Sequence, residues 1–261
     1  MGERMPRKRT LVWLLLIASL CVVAVSGFRL WQIHRMYAQG DRAYEELACA
    51  VKRSEASQAP GTESPETKQT GIGIPPIGID FEALREINPD AAAWLYSPDT
   101  VIDYPVMRAG DYDRYLRHLP DGTYNENGCL FLDYNNPPDF SGGLNIIYGH
   151  NMNSGKMFGS LGNYKEQAYF EEHPYLYLYT PQENYRVELL YGCVIGAGQW
   201  RDRAFMYEAN RESLLDYAAH HTTFSSSVSF SQEDRLLILS TCSYDFDDAR
   251  FIVMGVLRPG M

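Results

Sequence analysis

Two apolar runs near the end of the chain, Leu236-Leu237-Ile238-Leu239 and Phe251-Ile252-Val253-Met254, restrict its folding more than any other feature. Neither alternates with polar residues, and each is short for a helix, so both read as strands buried on two faces. Between them, Ser243 to Ala249 form a polar connection of hairpin-loop length whose Asp residues favour turns. If the strands pair antiparallel, Cys242, which follows Ser240-Thr241, meets Arg250 at one sheet edge. A third run, Leu144-Asn145-Ile146-Ile147-Tyr148-Gly149, ends at His150. Three strand-like segments therefore each deliver one chemically useful group at a terminus.

Those groups suit nucleophilic acyl transfer. A free thiol titrates near ~8.5 and needs a cation or base beside it to attack at neutral pH. His150 can fill that role. Arg250 stays protonated and cannot be a base, but its planar fork of donors can bind a carbonyl and the oxyanion that develops from it.

The stretch Leu239-Ser240-Thr241-Cys242 followed by Asp247-Asp248-Ala249-Arg250-Phe251 resembles the signature of sortases, and Ile147-Tyr148-Gly149-His150-Asn151-Met152 resembles their histidine motif. Gly155-Lys156-Met157-Phe158-Gly159-Ser160-Leu161 is similar to class B in particular, as are Ile87-Asn88-Pro89-Asp90 with Trp94, and Ile102-Asp103-Tyr104-Pro105-Val106. The resemblance covers roughly residues 79 to 258. It implies a mainly β fold: a closed, mixed, eight-stranded sortase-type barrel with flanking helices and a Cys242-His150-Arg250 active site. It also implies that Tyr148, Ser240 and Thr241 flank the substrate, and that Gly198 to Ser231 resembles the extended connection that walls the peptide groove in class B.

The activity expected from the resemblance is transpeptidation, with no cofactor. An exported protein carrying a C-terminal sorting signal would be cleaved after Thr and passed to an amine of a peptidoglycan cross-bridge or lipid II. Three alternatives stay open: a pilin-polymerising sortase using a Lys amine, a cysteine protease, and an inactive tethered binding module.

The N-terminal part places this domain. Residues 1–10 form a basic tail containing Arg4, Arg7, Lys8 and Arg9, and Leu11 to Phe28 is uncharged and apolar, about 27 Å long as a helix. It exceeds the ~7–15 residues of a usual signal-peptide core, although Ala24, Ser26 and Gly27 are small enough for a cleavage site. The expectation is a single-pass signal anchor in the cell membrane, with a cytoplasmic N-terminus and an extracellular catalytic domain. Residues 29–53 read as a helical stalk acting as a spacer, 54–78 as a disordered linker rich in Pro, Gly, Ser, Thr and Glu, and 79–261 as the catalytic domain.

Charge and cysteine usage narrow the partners. The chain has 23 Lys+Arg and 33 Asp+Glu; residues 1–53 hold 9 and 4 of these, leaving 14 and 29, so the remainder is near −15. Such a surface repels phosphate backbones and argues against nucleic acid. Of the five cysteines, Cys21 falls in the anchor and Cys49 in the stalk, while Cys129 and Cys193 read as buried strand thiols whose pairing sequence does not settle. No CxxC or HExxH spacing points to a metal. His220 and His221 read as helix-end cations, His118 and His173 as turn residues, and Asp133 as a turn cap before Pro137-Pro138, the competing role being to orient His150.

Overall fold

Strands and helices follow the apolar pattern of the chain. The computed structural model describes residues 7–53, 77–204 and 207–260. The long helix α1 (Arg7–Val51) is followed by a strand pair, β1 (Lys52–Arg53) with β2 (Gly78–Ile79), and by α2 (Phe81–Ile87). Then come β3 (Ala91–Tyr96), β4 (Asp103–Met107), β5 (Leu130–Leu132), β6 (Leu144–Tyr148), α3 (Gln167–Glu172), β7 (Tyr175–Tyr179), β8 (Asn184–Gly196), α4 (Ala197–Ala204), α5 (Tyr207–His221), β9 (Leu236–Cys242) and β10 (Ala249–Pro259). Short 3₁₀ turns cover Arg114–Leu116 and Gly159–Lys165.

Eight of these strands close into one barrel in the order β10-β8-β7-β3-β4-β5-β6-β9. Pairings β4/β5 and β6/β9 are parallel and the others antiparallel, which makes the sheet mixed. Closure leaves no edge among the barrel strands. This is the expected fold class.

The reason the C-terminal runs do not alternate lies in their neighbours. Leu237, Leu239, Phe251 and Val253 join the main core with Trp94, Leu130 and Val187, whereas Leu236, Ile238, Ile252, Met254 and Val256 pack against Trp200 of α4 and Leu214 and Ala218 of α5. Helices thus cover the outer face of β9 and β10 while the barrel interior covers the inner one. Each apolar side chain so enclosed contributes roughly 1.5–3 kcal/mol. Gly255 marks a bulge in β10, where an added Cβ would sit 2.6 Å from Val187 Cγ1.

Helix α1 differs from the segmented reading. It is unbroken through the apolar segment and the stalk, and it is the one helix among the described residues long and apolar enough to cross a membrane. Residues 11–35 are exposed, but Gly40, Tyr44, Leu47 and Val51 are buried at helical spacing. The part expected to act as a spacer therefore also packs against the barrel domain, because a stripe of small and apolar residues recurs on one face. Residues 54–76 of the expected linker, and residues 1–6 of the basic tail, lie outside the described residues.

Candidate active site

Strand register brings the three reactive groups together. On β9 six buried residues precede Cys242, which is exposed. Arg250, the second residue of β10, pairs directly opposite Cys242 across the ladder. On the other side of β9, β6 runs parallel with Tyr148 beside Ser240, so His150, two residues on, reaches the level of Cys242. The chain ends are stitched there: Gly149 N donates to Ser240 O at 3.2 Å, Thr241 Oγ1 to Gly149 O at 2.8 Å, and Asn151 Nδ2 to Cys242 O at 2.8 Å. A thiol, an imidazole and a guanidinium thus emerge from three adjacent strand ends.

They open into one cleft of about 480 Å³, lined also by Tyr112, Leu116, Phe131, Tyr148, Ser240 and Thr241. Ala197, Trp200 and Arg201 of α4 form part of its lining. All six residues singled out in the sequence border this space, although Ser240 and Thr241 are buried and the Thr241 hydroxyl is committed to Gly149. A larger hollow of about 760 Å³ lies beside α5, between Arg211, Leu215 and Phe230, and contains none of these groups.

The half-buried imidazole of His150 is oriented by a backbone carbonyl. Its Nε2 lies 2.7 Å from Leu116 O. A carbonyl only accepts, so Nε2 carries the proton and the lone pair of the neutral ring sits on Nδ1. Asp133 does not take that role. It is fully buried, accepts from Tyr112 Oη at 2.9 Å and Tyr148 Oη at 3.0 Å, and holds a turn through Asn135 N at 2.9 Å. Spacing gave no sign of Tyr112 or of Leu116, whose backbone carbonyl, supplied by a 3₁₀ turn, has no residue-type signature; Trp200 falls within the 198–231 connection expected beside the groove.

Arg250 is half-buried and donates from Nη1 to Ala249 O at 3.0 Å. Asp247 and Asp248 are exposed, and neither is ion-paired to it among the described residues. The loop that joins Cys242 to Arg250 is held instead by Lys165, whose Nζ meets Asp245 at 2.6 Å. The Lys165 ammonium and the Ser243 hydroxyl draw the Asp245 carboxyl below its ordinary range.

The other barrel cysteines are chemically different. Cys129 and Cys193 are free and buried; burial pushes the Cys129 thiol far above its ordinary value and the Cys193 thiol up to about 12. Both stay protonated at neutral pH. Among the described residues no group of three or more His, Cys, Asp or Glu is placed to hold a metal ion.

No protein-family model matches the chain. Sortase B of Listeria monocytogenes is 32% identical over 182 residues, which cover 68% of this chain and 74% of that protein. Among solved structures, sortase B of Bacillus anthracis superposes with a TM-score of 0.69 at 25% identity, covering 87% of this chain and all of that one. A Streptococcus pyogenes class B sortase involved in pilus biogenesis gives a TM-score of 0.62 at 27% identity, over 68% of this chain and 97% of that one. With this degree of identity and the same closed barrel, the chain belongs to the class B sortases, the cysteine transpeptidases.

Proposed function

We propose that Cys242 is the nucleophile, His150 the general acid and base, and Arg250 the oxyanion donor of a two-step transpeptidation. The register that sets Arg250 opposite Cys242, with His150 at the adjoining strand end, carries this assignment. Cys242 Sγ attacks the carbonyl carbon of a Thr in the sorting signal of an exported protein, and the Arg250 fork receives the charge on oxygen. The peptide C–N bond breaks as the imidazolium protonates the leaving amine, and a thioester remains. An incoming amine then attacks, its proton returns to His150, and the thiolate leaves as the new amide forms. Because Nε2 is held by the Leu116 carbonyl, Nδ1 is the nitrogen that exchanges this proton.

The acceptor we assign is a primary amine of the peptidoglycan cross-bridge, in the wall or on lipid II, and the enzyme works from the outer face of the cell membrane, anchored by Leu11–Phe28. The length and apolarity of α1 support the anchor. The pilus role of the Streptococcus pyogenes relative keeps a second reading, in which a Lys side chain of another subunit is the acceptor.

The full chain in detergent micelles, incubated with a library of quenched Thr-containing peptides and candidate amines, tests this by product mass. Amide exchange onto a cross-bridge amine is expected. Exclusive use of a subunit Lys selects the pilin reading, free carboxylate alone identifies a hydrolase, and turnover by Cys242→Ala removes the nucleophile assignment.

A further inference from the structure

Helix α1 meets the barrel at a segment with a direct route to His150. Tyr44 Oη donates to Gly128 O and also lies 3.3 Å from Cys129 Sγ. Asn125 Nδ2 reaches back to Met36 O at 2.9 Å. Between these contacts Gly40 lets the helix backbone come so close that an added Cβ would stand 2.2 Å from Asn127 Nδ2. Asn125 and Asn127 are themselves buried, and Asn127 N is tied to Asn125 Oδ1 at 2.9 Å. The helix therefore grips residues 125–129 by side chain, backbone and close approach together.

That segment lies flush on the turn that orients the imidazole. Gly128 has φ +56°, and a Cβ there would come within 2.5 Å of Tyr115 O and 2.7 Å of Leu116 O. Only a glycine fits, for both conformational and spatial reasons. Cys129 N donates to Tyr115 O at 2.8 Å and Asn125 N to Arg117 O at 2.9 Å, so the carbonyls on either side of Leu116 are held by the strip that α1 grips. The Leu116 carbonyl between them is the one that receives His150 Nε2.

We infer that α1 is a positioning element of the active site: through Tyr44 and Gly40 it fixes residues 125–129, these fix the Leu116 carbonyl, and that carbonyl holds the imidazole in the tautomer that leaves Nδ1 for proton transfer. Tyr44 and Gly40 touch no reacting atom. Their effect reaches the chemistry through backbone geometry, and misplacing a catalytic group by about 1 Å costs up to roughly 100-fold in rate. This rests on the assignment of His150 and Cys242 above.

The test uses the full chain in detergent micelles with a cleavable peptide of the parent's choice. Tyr44→Phe keeps the ring and removes the hydrogen bond; Gly40→Ala adds the intruding methyl; Gly40→Ala with Asn127→Ala removes the atom it strikes. Leu176→Ala, in the core of β7 away from the site, sets how much a mere loss of melting temperature does to the rate. The expected result is a fall in kcat of roughly 10- to 100-fold for Tyr44→Phe and Gly40→Ala with KM little changed, recovery in the double variant, and near-parental kcat for Leu176→Ala. The ¹⁵N imidazole shifts of His150 should move from the Nε2–H form toward a mixture in the first two variants only. Parental kcat and unchanged shifts in Tyr44→Phe and Gly40→Ala overturn the coupling, as does a Gly40→Ala loss that Asn127→Ala does not relieve. Full activity in His150→Ala overturns the site assignment itself, which is a separate result.

Discussion

At Arg250 the proposed oxyanion role and that of an ordinary surface cation lead to different outcomes. Arg250 has no ion pair to Asp247 or Asp248 among the described residues, and with Nη1 donating to Ala249 O the remaining donors of the fork are those left for the oxyanion role proposed above. Arg250→Lys keeps the charge and loses the planar geometry, so kcat/KM should drop about 10²–10³-fold with little change in melting temperature, and Asp248→Asn should turn over near the parental rate. Equal rates for Arg250→Lys and parent refute the role. A second residue-scale prediction concerns the thiols. Iodoacetamide at pH 8 should modify Cys242 and exposed Cys49 but spare Cys129 and Cys193, and loss of turnover should follow Cys242 alone. The Cys193 thiol stays neutral in the fold up to about 12, while in the unfolded chain it ionises near its ordinary 9.0. Its contribution to stability is therefore complete below pH 9 and is lost as pH rises through that window, at up to about 1.4 kcal/mol per unit. Cys193→Val should show a shallower alkaline fall in urea midpoint than the parent; an identical slope would contradict it.

Among the elements, β9 shows why part of the fold could be read in advance. Its run of Leu and Ile lacks alternation because α5 covers one face and the barrel the other, and that double burial leaves a plain mark in residue types. Ile238→Ala on the helix-facing side should cost about 2–5 kcal/mol, measured by denaturant unfolding, with the chemistry retained. The orientation of His150 left no such mark. It depends on the carbonyl of Leu116, which any residue would supply. Asp133, read from the sequence as a turn cap with orientation of His150 only as the competing role, holds its turn and accepts from Tyr112 and Tyr148. The docked face of α1 was missed for a related reason: Gly40, Ala43 and Ala48 read as a spacer until a partner surface is present. In the loop after β9, Lys165–Asp245 stabilises only above the ordinary carboxylate range and is lost as pH falls through the lowered Asp245 value. Being partly solvated, it should be worth about 0–1 kcal/mol. Asp245→Asn should leave the melting temperature nearly unchanged while speeding hydrogen exchange over residues 243–248, and unaltered exchange would exclude the pinning role.

At the scale of the whole molecule the proposed anchor, the one helix among the described residues long and apolar enough to cross a membrane, sets where the enzyme would work. Fractionated cells should retain the chain in the membrane with residues 1–28 still attached; recovery from the medium of a form starting after Ser26 or Gly27 would identify a cleaved signal instead. With Leu11–Phe28 in a bilayer, Arg29 to Arg35 span only about 10 Å before Met36 meets the barrel domain. Nothing in α1 interrupts the helix along the way. A catalytic head mounted so low on a jointless mast, as the proposed anchor requires, would not sweep a volume. On the proposed anchoring it would patrol a single plane parallel to the lipid and meet substrate by lateral drift in two dimensions, with clients still held in the bilayer delivered at the working height. Six Gly/Ser residues inserted after Arg29 should accordingly leave the turnover of a free peptide untouched and slow transfer onto a bilayer-held client reconstituted in the same vesicles.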